Sequence, residues 1–417
     1  MASEKKPLYL SMAWRLSLDV CSRGAFFLVN IVIARSLGVV EFGRFAYALS
    51  LALMFYSFTE FGTHLQMAKE LGQSDDPIES TWKHFLELKI ALLAVCFIVL
   101  APLCVLMWHG PQSWMAVAAL LWMFSGSVLD FNQYTCNGLG RMDLAQRMIL
   151  VHRGIVIAGV LGSLLVSKTL TAVMFGMAVS GTMGALIANI YFFHAVKSRF
   201  HWIGSVREWT RILRKSIPTG IASSIGQTWV RIGPVLLAWV WTSQVVGEYS
   251  AAFRIFEVTY VVPAALMAIS VPHLSEALLR GKPQFLKELK RVAIVMVPLA
   301  LLWAGFLYFG ADLIVRTLFG VKFLNAVPIL KIMSGVAVFV FFNYIVTHVM
   351  VIADRQKRHV VNTALTAAFS ACYFALLVGR GPGTGAAVAF LLTEATMFAV
   401  TVRYLWSWWG SETPPVG

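Results

Sequence analysis

The chain has 417 residues, 59% of them hydrophobic and 13% charged, with a mean hydropathy of +0.74. That apolar excess is more than a water-soluble core of this size needs, so it excludes a soluble globular fold and calls for lipid as solvent. The net charge of +14 would suggest nucleic acid in a soluble protein, but here the charges sit between apolar runs and read as topology signals, with no nucleic acid among the expected partners.

Crossing a bilayer takes about 20 apolar residues, and the polar punctuation predicts twelve such helices. They run over 12–33, 44–64, 86–107, 113–135, 146–167, 170–194, 216–241, 250–273, 290–310, 326–352, 359–378 and 384–406. The basic N-terminus MASEKKPLYL precedes a run holding Asp19 and Arg23, with no small-residue cleavage site, and is read as retained. Cys21, Cys96, Cys104, Cys136 and Cys372 are scattered, mostly inside apolar runs, with no C-x-x-C spacing. They read as small core residues, with neither a disulfide framework nor a metal site expected.

The loops alternate in charge. One set carries Lys69 and Lys83, Arg141 and Arg147, the basic residues from Lys197 to Lys215, those from Arg280 to Arg291, and Arg355, Lys357 and Arg358; the other set is poor. The positive-inside rule therefore places the rich loops and both termini of this multi-pass chain in the cytoplasm. Segments 195–215 and 274–289 read either as amphipathic surface helices or as solvated linkers, and VREWTRILRKS groups Trp209 with Leu213.

The chain also repeats itself. Aligning Gly43 with Gly247 pairs Phe45 with Tyr249 and Ala48 with Ala252, and Leu139–Asp143 (L-G-R-M-D) pairs with Ala353–Lys357 (A-D-R-Q-K) at nearly the same offset. The expected architecture is an all-α integral membrane protein: an N-terminal six-helix lobe (1–194), a cytoplasmic linker (195–215) and a C-terminal six-helix lobe (216–417). Because six is even, the two lobes form a parallel repeat, with substrate expected between them.

Arg23 in the first span and Arg231 in the seventh are the leading functional candidates. An arginine at mid-bilayer depth is expensive unless it faces water or a partner. In the repeat alignment Arg23 falls opposite Gln227, one turn before Arg231, so both halves point a guanidinium at one region. Two guanidinium groups in a cavity repel unless an anion joins them, and phosphate matches their fork geometry. The alternative is neutralisation within each helix, which Asp19 offers Arg23 from four residues away.

Other intramembrane groups carry two readings each. Arg254 and Glu257 read equally as a brace and as a substrate contact. Asp130, Asn132 and Gln133 suit interhelical hydrogen bonds, or coupling ions and sugar hydroxyls. Glu394 is either a proton relay or a silent protonated carboxyl, and Glu60 with His64 is read first as interfacial and second as gating. Gly233-Pro234 beside Arg231 makes the seventh span the candidate moving helix, or a fixed kink. There is no Walker loop, no H-E-x-x-H and no catalytic constellation, so no enzyme activity is expected.

Several stretches resemble a known family. They are ARSLGVVEFGRFAYALSL followed by TEFG, then NGLGRMDLAQ, and in the second half KSIPTGIASSI, VVGEYSAAFRIFEV, VPHLSEAL, LFGVKFLNAVPILKIM and ADRQKRHVVNTAL. In family order, these are similar to the Wzx-type oligosaccharide flippases, the polysaccharide-transport branch of the multidrug/oligosaccharidyl-lipid/polysaccharide (MOP) exporter superfamily. The resemblance implies twelve helices in two lobes around a cation-lined cavity. It implies flipping of undecaprenyl-pyrophosphate-linked oligosaccharide to the periplasmic leaflet, as in O-antigen biosynthesis, beside a glycan polymerase and other assembly proteins. An ion gradient of H+ or Na+ is the expected drive. Two alternatives are weighed: a membrane glycan polymerase or ligase, which the short outward loops disfavour, and a MATE-like exporter of cationic drugs, which the arginines disfavour.

Overall fold

In the computed structural model the described residues are 24–64, 66–67, 70, 78–108, 113–139, 141–196 and 204–411. They form helices α1 Gly24–Leu37, α2 Val39–Glu60, α3 Ile78–Met107, α4 Trp114–Gly138, α5 Met142–Val166, α6 Leu170–Val196 and α7 Val206–Val240. The chain continues through α8 Ser243–Glu257, α9 Val261–Leu279, α10 Lys282–Leu318, α11 Ala326–Ile352, α12 Gln356–Leu377 and α13 Thr384–Ser411. No strand occurs among the described residues.

Ten helical segments of the described residues are long and apolar enough to cross a membrane. Side chains such as Leu165 (89% exposed) and Phe309 (87%) stand outside the packing, where only an apolar solvent suits them. The protein is therefore a multi-pass membrane protein. In the first and seventh predicted spans the apolar helical stretches are the shorter Gly24–Leu37 and Val230–Val240.

The chain divides into two compact units, Met1–Val235 and Leu236–Gly417. In the first, Trp82, Phe85, Phe131, Met148, Phe192 and Ile212 build the core. Small residues bring α5 and α6 together: a Cβ added at Gly159 would lie 2.3 Å from that of Ser180, so only glycine fits there. In the second, Met267, Phe285, Met296, Phe341 and Val349 pack together.

Three local departures from the predicted elements have clear causes. The basic segment VREWTRILRKS is helical, but it is the beginning of α7 and not a separate surface helix. Its apolar side is buried at Ile212, and its polar groups are fastened to the first unit. Gly204 N and Trp209 Nε1 donate to Glu87 Oε2 at 3.2 and 3.3 Å, and Lys215 Nζ donates to Glu70 Oε1 at 3.1 Å. Burial opposes charge on Glu70, but bonds from Gln66 and Lys215 and the nearby Arg211 outweigh it and hold the carboxyl below its usual range.

The second departure is the eighth predicted span, which is α8 and α9 joined by a 3-10 turn at Val258–Tyr260. Pro263 explains it, because the ring supplies no N–H to the Thr259 carbonyl and crowds it. Third, residues 274–289 are the end of α9 and the start of α10, turned at Gly281 with φ 107°, a backbone region open mainly to glycine.

The internal repeat has a structural counterpart. Gly43 and Gly247 each lie four residues after the first residue of α2 and α8, and their matched neighbours Phe45, Tyr249, Ala48 and Ala252 are all buried. The second matched pair of segments begins at Leu139 and Ala353, shortly before α5 and α12.

Candidate functional site

Two buried polar clusters stand out among the described residues, one in each unit. In the first unit, α2 ends on Glu60, and α3 brings up Lys89 from a neighbouring helix. Lys89 is fully buried, with its ammonium on Glu60 Oε1 and, at 3.0 Å, on the Thr59 carbonyl. Ser127 on α4 donates to the same Glu60 oxygen at 2.9 Å, and His64 Nδ1 lies 2.8 Å from the other. One turn back on α2, the Tyr56 hydroxyl donates to Asp130 on α4. Burying such a pair is expensive, and each partner makes the other tolerable.

Sequence reasoning missed Lys89 altogether and put Glu60 and His64 at an interface. A signal was present: Trp82, Phe85, Leu86 and Lys89 follow helical spacing, and the first three are buried, so the lysine continues a core-facing stripe.

In the second unit the counterpart is Glu394 on α13. Its carboxylate accepts from Asn343 Nδ2 at 2.6 Å, and its backbone carbonyl accepts from the same group at 3.0 Å. Beside it lies a cavity of about 260 Å³ whose lining includes Asn343, His348, His359, Thr363 and Glu394. Ser370 and Thr393 share a hydroxyl hydrogen bond nearby, joining α12 to α13.

The predicted site residues fall as follows. Asp19 and Arg23 lie outside the described residues. Arg231 is half-buried on α7, within the segment that groups with the first unit. Arg254 Nη1 donates to Glu257 Oε2 at 2.7 Å, an ion pair at the end of α8. Asn132 accepts from Trp82 Nε1 at 3.3 Å and donates to Asn189 Oδ1 at 2.7 Å, tying α3, α4 and α6 together. Asp130 is held by Tyr56. These contacts are interhelical, the alternative that the sequence offered beside ion or sugar binding. Gly220 approaches the end of α2 so closely that a Cβ would sit 2.6 Å from the Phe61 carbonyl oxygen, and Ser224 Oγ donates to the Ser57 carbonyl at 3.2 Å. The helix that carries Arg231 is thereby packed directly against the helix that carries Glu60.

Among the described residues no group of three or more His, Cys, Asp or Glu side chains could hold a metal ion.

Solved structures share the fold across nearly the whole chain. The inward-facing form of a multidrug resistance MATE family transporter of the MOP superfamily superposes with a TM-score of 0.69 at 15% identity, covering 94% of this chain and 96% of that one. The lipid II flippase MurJ, inward closed, gives 0.72 at 12% identity, covering 94% and 87%. A MOP superfamily transporter from Pyrococcus furiosus, whose title reports reversed polarity of its binding pocket, gives 0.63 at 13%, covering 95% of each chain. At such identities the likeness establishes the fold alone. No curated protein sequence matches the chain. A family model described as polysaccharide biosynthesis protein does match, over residues 10–278. Since that span exceeds half of the chain, the protein belongs to the polysaccharide biosynthesis protein family and carries the fold of the MOP transporters and flippases.

Proposed function

We propose that the protein is a flippase that moves undecaprenyl-pyrophosphate-linked oligosaccharide from the cytoplasmic to the periplasmic leaflet of a bacterial inner membrane. The observation that carries this reading is the family match over residues 10–278, joined to a MOP fold. In this reading both termini are cytoplasmic, the twelve spans form lobes 1–194 and 216–417 around linker 195–215, and access alternates between the two sides. Arg23 and Arg231 grip the pyrophosphate, whose oxygens suit paired guanidinium forks. Asp19 sets the charge around Arg23. Arg254, Glu257, Asp130 and Asn132 supply polar contacts as the sugars pass, exchanging their present bonds.

An H+ or Na+ gradient supplies the drive, and Glu394 is the coupling group that best fits. It is a half-buried carboxyl on an amide and a cavity, without an ion pair among the described residues. A glycan polymerase downstream would consume the flipped product.

The test is surface glycan display in cells that depend on this protein, with Arg23→Ala, Arg231→Ala and the double variant. Display is expected to drop at least about tenfold in the double variant, in line with losing two charge-assisted contacts. Full display from the double variant at matched protein levels rejects the arginine grip. Resistance to cationic dyes on expression would favour drug export instead, and glycosidic bond formation by the purified chain would favour a polymerase.

A further inference from the structure

The hairpin of α9 and α10 carries a groove of about 220 Å³ that plays no part in the reading above. Its lining changes character along its length. Toward the turn at Gly281 it presents His273 from α9 and Glu288 and Arg291 from α10; away from the turn it presents Leu266 and Ile269 from α9 and Val295 from α10. The step from Glu288 to Val295 is roughly 10 Å along the helix axis. Both walls therefore pass from polar to apolar in the same direction, and the α10 wall from charged to apolar.

The apolar end opens outward: Ile269 is 63% exposed, and Ile294 and Val295, at 61% and 49%, extend the surface beside it. The charged end is basic. Arg280, Lys282, Lys287, Lys290 and Arg291 stand in this segment against Glu276 and Glu288 alone. Arg291 is bonded to Glu288, yet its side chain stays 63% exposed, which leaves other guanidinium N–H donors available. Lys287 lies one turn before Arg291 on the same face.

We infer that this groove seats an anionic phospholipid of the surrounding bilayer, with its phosphate at His273 and Arg291 and an acyl chain along Ile269 and Val295. Charge complementarity selects an anionic headgroup over a zwitterionic one. The apolar end selects a lipid over free phosphate. The volume is below the roughly 300–1,000 Å³ of a cleft that engulfs a small ligand, which suits a molecule lying partly in the bilayer. The inference does not rest on the flippase reading.

Native mass spectrometry of the full chain, with phosphatidylglycerol and phosphatidylcholine at equal concentration, tests it. Phosphatidylglycerol is expected to be retained preferentially, with Lys287→Gln and Arg291→Gln each weakening retention about fivefold. Ile269→Trp fills the apolar end, leaves every charge in place and is expected to weaken retention as well. These three side chains are exposed, so the variants retain the fold. Equal retention of the two lipids overturns the inference. So does loss in the charge variants with full retention in Ile269→Trp, which would mean adsorption to a basic surface. Displacement of phosphatidylglycerol by undecaprenyl pyrophosphate, lost again in Ile269→Trp, would also overturn it and give the groove to the carrier lipid.

Discussion

In the first unit a buried carboxylate, Glu60, is met by an ammonium, a hydroxyl and an imidazole on neighbouring turns and helices. In the second unit a half-buried carboxyl, Glu394, is met by one amide and an adjoining cavity. The two groups sit in similar helical surroundings, and their partners assign them different work. A carboxylate fixed by a full positive charge has little reason to release or take up a proton, so Glu60 holds helices together. A carboxyl whose partner is neutral can change its protonation state without stranding an opposite charge. Under the proposed function, capacity to couple transport to an ion goes with the sparsely satisfied site, and rigidity with the saturated one.

Breaking the saturated site gives the largest expected effect. Lys89→Met strands Glu60 in the packing and is expected to cost about 3–5 kcal/mol, read as a lowered thermal midpoint in detergent. Adding Glu60→Gln removes the stranded charge and is expected to restore most of that loss. A single variant as stable as the parent would erase the contrast.

Glu394→Gln sharpens it from the other side. An amide oxygen still accepts from Asn343, so stability is expected to change by less than about 1 kcal/mol. Gradient-dependent transport in proteoliposomes is expected to be lost at the same time. A destabilisation as large as that of Lys89→Met would mean that both carboxyls are structural.

The smallest effect concerns Glu70, outside the spans. Its carboxyl is held below the unfolded value, so its stabilising share is present above about pH 4.3 and fades as the pH falls through the folded value. The parent is expected to lose slightly more stability on acidification than Glu70→Gln, by under about 1 kcal/mol because Arg211 and Lys215 are half in solvent. Identical pH profiles for the two proteins would remove Glu70 from the fastening of α7.

Much of the fold was legible because lipid imposes a strong pattern. The run 326–352 coincides with α11. Helix starts were less legible on the polar side. α3 begins at Ile78 and α7 at Val206, because Trp82, Phe85 and Ile212 give polar-looking segments an apolar stripe that hydropathy averaging dilutes. The site was legible only in part. Asn132 was picked out, but its partners Trp82 and Asn189 come from other helices, and such pairings depend on packing that one sequence does not spell out. Lys89 escaped notice because a single lysine near the edge of an apolar run looks like a topology charge, until its register with Trp82 and Phe85 is counted.

The Glu60–Lys89 contact also constrains how the chain is made. A lysine left alone in a bilayer is costly, up to about 2.5–3.5 kcal/mol at the centre on insertion scales, and an orphaned carboxylate is similarly unwelcome. The two residues lie on consecutive long helices, the first emerging from the ribosome before the second. The insertion machinery therefore does best to hold α2 until α3 arrives and release them into lipid as one hairpin with this charge pair closed.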